Sequence, residues 1–318
     1  MRLDMIIGLC VVLTVSAHAT ETVRRFDRNG DGQMDQWEYE RDGKLHRLEA
    51  DRDHDGRVDH WVTYDNGQPA TVAFDTNGTG KADQREIYSA AGQLQSVETD
   101  KDEDGVFEQR FVYDPGRVLR RAEKDQNGDG TIDLWQHFTD GRLSHAVLDT
   151  DGNGEPDQWQ FYNAQGQRQR IELDSTGNGK VDQWRHYQND ILQSVHLDQN
   201  ADGMVDEIVH YDKQERVTQV LRQLSPAGHP HTRLLYTNGV LSQGEFDTNG
   251  NGQVDQWHAY DASGKLIRVA YDQNGDSRPD QWEHFAQNAT APYKVEQDTN
   301  GDGKADTIWE QPGQKAQP

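Results

Sequence analysis

Asp125-Gln126-Asn127-Gly128-Asp129-Gly130-Thr131-Ile132-Asp133-Leu134-Trp135 is the phrase on which this sequence turns, because most of its 318 residues repeat it with a spacer between copies. Side-chain oxygens stand at its first, third, fifth and ninth positions, and glycine at the fourth and sixth. A short loop that points alternate residues inward can close around a hard divalent cation, with a main-chain carbonyl at position seven as a further ligand. Gly130 provides the sharp turn such a loop needs, since glycine reaches positive φ at no steric cost.

Copies begin at Asp27, Asp51, Asp75, Asp100, Asp125, Asp149, Asp174, Asp198, Asp247, Asp272 and Asp298, spaced 24 to 26 residues apart except for one interval of 49. A fixed period marks a tandem array, and it outweighs the two domains that length alone would suggest. The long interval is two periods, so one unit has kept its place and lost its loop.

The candidate ligands of Ca²⁺ follow by position. The first four loops offer Asp27, Asn29, Asp31 and Asp35; Asp51, Asp53, Asp55 and Asp59; Asp75, Asn77 and Asp83; Asp100, Asp102, Asp104 and Glu108. The next four offer Asp125, Asn127, Asp129 and Asp133; Asp149, Asp151, Asn153 and Asp157; Asp174, Asn178 and Asp182; Asp198, Asn200, Asp202 and Asp206. The last three offer Asp247, Asn249, Asn251 and Asp255; Asp272, Asn274, Asp276 and Asp280; Asp298, Asn300, Asp302 and Asp306. By ligand content the loops at Asp27, Asp51, Asp100, Asp125 and Asp298 are strongest. Thr79 and Thr176 weaken their loops by removing a formal charge, Glu108 stands in for the ninth-position Asp, and Ser277 strains a turn where glycine is the rule.

The formal charge is -24, and the four ligand positions hold 32 of the 56 acidic residues. Eleven Ca²⁺ carry 22 positive charges and would bring the total to about -2. The metal-free chain is expected to repel itself and relax on loading. The same acidity excludes nucleic acid as a partner, which needs a basic surface. With 32% hydrophobic residues and a mean hydropathy of -1.04, the core must be thin. Ion binding to the folded state is then a source of folding free energy.

Residues 1–19 read as a secretory signal peptide, with Arg2, an apolar run from Met5 to Val15 and Ala17-His18-Ala19 before the cleavage point. Cys10 lies in that run, so the mature chain has neither cysteine nor a transmembrane anchor. The expected location is the periplasm or the cell surface.

Residues 20–309 are expected to form about twelve β-hairpin repeats, with 310–318 as a tail. Each spacer holds two short runs of aromatic and β-branched residues around a glycine turn, such as Asp261-Ala262-Ser263-Gly264, which reads as a hairpin. The residues one and three places before a loop pair on one strand face, as Val72 with Phe74 or Ile171 with Leu173. After the loop, Trp61 with Tyr64 or Trp184 with Tyr187 do not share a face without a bulge or twist. Seven of the eight tryptophans sit two residues after the ninth-position acid, and the reading is a stacked aromatic spine between hairpins. The fold class is all-β: an antiparallel meander, elongated or spiral, with calcium at one edge. The unit near 222–246 lacks a calcium loop, and Leu224 to His231 stands in its place. That break is where a specific partner is to be sought.

Position twelve holds Glu38, Val62, Glu86, Phe111, Gln136, Gln160 and Arg185 in the first seven units, which excludes an EF-hand, whose loop needs a bidentate Glu there. The Asp-x-Asn/Asp-x-Asp-Gly-x-x-Asp pattern resembles the calcium loops of thrombospondin type-three and bacterial FG-GAP/VCBS-like repeats. The spacer Tyr260 to Leu266 resembles the YD repeats of Rhs-type shells. These resemblances imply a bacterial, secreted or surface protein with calcium-stiffened hairpins and assign no activity.

No constellation of catalytic residues departs from the repeat. Histidines two residues after the tryptophan position, as at His137, His186, His210 and His284, read as a solvated strand face. The expected function is a non-catalytic calcium-binding scaffold at the envelope or surface, with an unidentified protein or glycan partner. The alternative is a β-propeller lectin or carbohydrate-active enzyme, in which twelve hairpins pair into six four-stranded blades. That alternative requires a two-unit period, and neighbouring units look alike.

Overall fold

A computed structural model of the chain describes residues 21–224, 229–287 and 289–311. The expected signal peptide over residues 1–19, residues 225–228 of the unit without an acidic loop and residues 312–318 of the expected tail lie outside them. The described residues form twenty-four β-strands and no helix. The chain divides between Gly130 and Thr131 into two compact units.

In the first unit, β1 (Glu21–Phe26) to β9 (Leu119–Lys124) pair antiparallel, each with its neighbours in sequence. The second unit repeats the plan from β10 (Leu134–Thr139) to β24 (Thr307–Glu310). Continuous pairing of nine and fifteen strands leaves no four-stranded blades. Strands that enter a loop alternate with strands that leave one, so loops gather at one end of the strands and hairpin turns at the other. Several turns are two residues long with both residues at positive φ, such as Asp42-Gly43 at 52° and 72°. That is the geometry whose twist matches antiparallel strands.

A bulge is present, and it does not bring the tryptophan and the aromatic residue after it to one face. In nine hairpins the register shifts just before the aromatic residue: Tyr64, Tyr88, Tyr113, Phe138, Tyr162, Tyr187, Tyr211, Tyr236 and Tyr260. His137 opposes His145 and Phe138 opposes Leu143, so the extra residue, Ser144, belongs to the returning strand. The strand leaving the loop keeps its alternation. Tryptophan and tyrosine therefore lie on opposite faces, and Tyr162 donates a hydrogen bond of 2.6 Å to Gln160, two residues back on its own face.

The apolar core is thin, as the composition requires. Ala50 and Ala270 are buried, Ala270 between Trp257 and Trp282 on the tryptophan face. Val62, Ala122, Ala146, Ile171, Val195, Val220 and Val269 are buried too, and these seven lie on the opposite face. Six of these seven stand three residues before a loop position, where the two-residue spacing places them.

The tryptophans do not stack. Across the first unit the lateral row runs Trp37, Glu49, Trp61, Ala73, Arg85, Glu98, Arg110, Glu123, so tryptophans are two strands, about 9.5 Å, apart. Among the described residues no tryptophan ring meets another aromatic ring. The row instead alternates a large side chain with an intervening, often acidic, one. This explains how arginine replaces tryptophan at 85 and 110. Buried Glu98 lies between them, ion-paired to Arg85 and to Arg110 at 3.3 Å, and Arg110 reaches Glu123 at 3.9 Å.

Glu98→Ala leaves Arg85 without its carboxylate and Arg110 with Glu123 alone, and because both arginines are partly solvated it is expected to cost about 1–2 kcal/mol in urea unfolding. Glu172→Ala, flanked by Trp159 and Trp184, should cost less than half as much.

Candidate metal centres

Each of the ten loops that lie within one unit is a closed network of carboxylates and main-chain N–H groups. The first-position Asp accepts from the sixth residue in all eleven loops and from the fourth in ten; in the Asp27 loop Gly30 and Gly32 donate at 2.6 and 2.9 Å. The third-position side chain accepts from the fifth N–H and the fifth from the seventh, as Asn29 from Asp31 and Asp31 from Gln33. The ninth-position acid closes the ring by accepting the N–H of residue two, as Asp35 does from Arg28. These bonds orient the side chains that the spacing nominates and use their oxygens unequally: Asp157 Oδ2 accepts three of them, whereas Asp59 accepts through Oδ2 alone and keeps Oδ1 for a cation.

Positions four and six both require positive φ. Ser277, at position six, sits at 68° without glycine's freedom, which is the strain its sequence predicts. His54, Glu103 and Ala201 show that position four is equally constrained, at 65°, 64° and 59°. The sequence reading also missed position two. Thr76, Thr150, Ser175, Thr248 and Thr299 donate their hydroxyls to the ninth-position Asp, a role signalled by the repeated Asp-Thr or Asp-Ser at the start of these loops.

Adjacent loops are tied through the main chain. The N–H of each first-position residue donates to the carbonyl of the preceding loop's ninth residue, as Asp51 to Asp35 at 2.9 Å and Asp298 to Asp280 at 2.8 Å. The unit without an acidic loop keeps this tie: Gln223 donates to Asp206 and His231 accepts from Asp247. Gln223 and His231 thus occupy positions one and nine, with neither acid present.

Carboxylates converge most clearly at three loops. One oxygen from each of Asp100, Asp102, Asp104 and Glu108 lies within 4.8 Å of the others, and the same holds for Asp51, Asp53 and Asp59 and for Asp149, Asp151 and Asp157. Glu108 therefore does reach the site, through a 2.8 Å hydrogen bond from Lys101 N–H. Its other oxygen, Oε1, is buried with no hydrogen-bond partner. In the Asp174 loop, the Thr176 hydroxyl turns to Asp174 at 3.3 Å. In the Asp125 loop, Gly128 and Gly130 hold Asp125 as elsewhere; Asp133 is buried in the second unit.

The histidines gather no comparable group. His137 stacks on His145 with centroids 4.2 Å apart, His186 lies 4.6 Å from His196, and His284 pairs with Glu296 at 2.7 Å. Among the described residues, every group of three or more convergent ligand side chains is acidic and belongs to a loop.

The chain matches no described protein family and no curated protein. Among solved structures it is similar to the crystal structure of TcdB2-TccC3-Cdc42, at 14% identity over 84% of this chain and 15% of that one, with a TM-score of 0.23. TcdB2-TccC3 without its hypervariable C-terminal region gives 15% identity over 84% and 15%, with a TM-score of 0.22. The Photorhabdus luminescens Tc holotoxin pore carrying TccC3-D651A gives 14% over 87% and 20%, with a TM-score of 0.16. The chain spans a fifth or less of these structures, and superpositions this loose carry no argument.

Burial pushes the carboxyls of Asp75, Asp149, Asp174, Asp247 and Asp298 upward, and their loop N–H donors outweigh it, holding each below the usual 3.8. A folded value below the unfolded one stabilises fully above about pH 3.8 and is lost as pH falls through the lower folded value. In a chelator-treated pH series, unfolding free energy should fall steeply below about pH 4. Asp298→Asn should reduce that slope, and an unchanged slope would contradict the hydrogen-bond assignment.

Proposed function

We propose that this is an exported, non-catalytic calcium-binding repeat protein that acts as a structural and interaction scaffold at the cell envelope or surface. The observation that carries the reading is the Asp100 loop: four converging carboxylates, with the buried Glu108 Oε1 left without a hydrogen-bond partner. Four negative charges held together by the fold favour a cation of charge two. The donors are all oxygen, which suits Ca²⁺ or Mg²⁺ over metals that prefer nitrogen or sulfur. Loop side chains plus a carbonyl supply the larger coordination number that Ca²⁺ takes, whereas Mg²⁺ holds its waters and demands a tight octahedron. The resemblance of the loops to thrombospondin type-three and FG-GAP/VCBS-like repeats supports the same choice. Export rests on the sequence of residues 1–19, and scaffolding rests on identical chemistry repeated along the array.

Calcium titrated calorimetrically into chelator-treated protein should bind at several sites, with dissociation constants of about 10⁻⁴ to 10⁻³ M for an extracellular module. Magnesium should bind more weakly. Asp100→Asn with Glu108→Gln should remove one equivalent. Absence of calcium heat, or equal binding of magnesium, would refute the assignment.

A further inference from the structure

Pairing along the array follows two rules. A strand entering a loop pairs with the strand leaving it, and each leaving strand pairs by a hairpin with the next entering strand. Two described strands lack their hairpin mate. β1 enters the Asp27 loop and pairs only with β2 (Gln36–Arg41), while β24 leaves the Asp298 loop and pairs only with β23 (Lys294–Gln297). One is the entering half of a hairpin pair and the other the leaving half.

Exposure marks the same strands. Val23, Ile308 and Trp309 are 43%, 54% and 52% exposed, and Trp309 is alone among the eight tryptophans in being exposed. The other exposed large apolar residues lie in calcium loops, at hairpin tips or at a bulge, where the repeat plan itself exposes them. On β1 and β24 it does not: most equivalent residues of internal strands, such as Ser96, Trp61 and Val62, are buried or half-buried.

We propose that β24 of one copy of this chain pairs antiparallel with β1 of a second copy, so that the edge between copies reproduces the hairpin pairing made within each. The internal register fixes the contact. The first residue of a leaving strand opposes the last residue of its entering partner, as Gln36 opposes Ala50 and Trp37 opposes Glu49. Thr307 then faces Phe26, Ile308 faces Arg25, Trp309 faces Arg24 and Glu310 faces Val23. Arg24 has the reach to lie over the Trp309 ring, and Glu310 sits diagonally across from Arg25 on one face. Main-chain hydrogen bonds give such strand addition its affinity, and the facing side chains give its register. The contact is heterologous, so copies add head to tail and growth does not stop at two.

The test uses the full chain in saturating calcium and two variants, each blocking one edge with like charge. Val23→Glu faces Glu310, and Ile308→Lys faces Arg25. In sedimentation velocity from micromolar to hundreds of micromolar, the unsubstituted chain should form dimers and longer species. Each variant alone should associate at least tenfold more weakly, with unchanged circular dichroism. An equimolar mixture should recover a dimer and nothing larger, because one intact β1 and one intact β24 remain between the two variants. Recovery on mixing cannot arise from misfolded variants. An unsubstituted chain that stays monomeric, through closure of β24 on its own β1 or otherwise, would overturn the proposal. So would variants that associate as the unsubstituted chain does, or a mixture that stays monomeric.

Discussion

A carboxylate at the start of each loop, buried in eight of the eleven and gripped by the N–H of its own sixth residue and, in ten, of its fourth, is the interaction on which the rest of the structure depends. Burying such a charge is costly unless it is hydrogen-bonded or paired with a cation. The N–H donors provide the first compensation, and their direction demands positive φ at positions four and six. The ninth-position acid then closes the ring and passes its carbonyl to the next loop's first residue. Loop geometry, strand order and lateral spacing thus descend from one bonding pattern.

Much of this was legible in the sequence, because hydrogen-bonding side chains at fixed spacing leave little conformational choice. Asp125, Asn127, Asp129 and Asp133 announce a curled loop by composition alone, and Asp42-Gly43 announces a tight hairpin. Two-residue spacing correctly put Ile171, Val195 and Val269 on one buried face. Strain at Ser277 was visible because one serine interrupts a column of glycines.

What escaped depends on bonds that spacing does not encode. The threonines at position two look like ordinary loop residues until their hydroxyls are seen on the closing Asp. His54, Glu103 and Ala201 hold the same left-handed turn as glycine, so glycine content understates the constraint. The position of the bulge decided the aromatic faces: with the extra residue on the returning strand, Trp135 and Phe138 part company. The expected tryptophan stack assumed contact between residues that the register places two strands apart. Once the intervening acid is known, Arg85 and Arg110 become the natural replacements for tryptophan. Gln223 and His231 show the converse case, in which the main-chain tie survives after the ligands are gone.

Two weak sources of stability therefore support each other: a thin apolar face, and acid-rich loops whose converging carboxylates could hold a cation. Neither suffices for a chain of formal charge -24. The most direct measurement is scanning calorimetry of chelator-treated protein at neutral pH with calcium added stepwise. The account predicts an unfolding midpoint that climbs with the logarithm of calcium concentration once the loops begin to fill, since every site occupied only in the folded state adds to stability. A midpoint unmoved from zero to several millimolar calcium would contradict it.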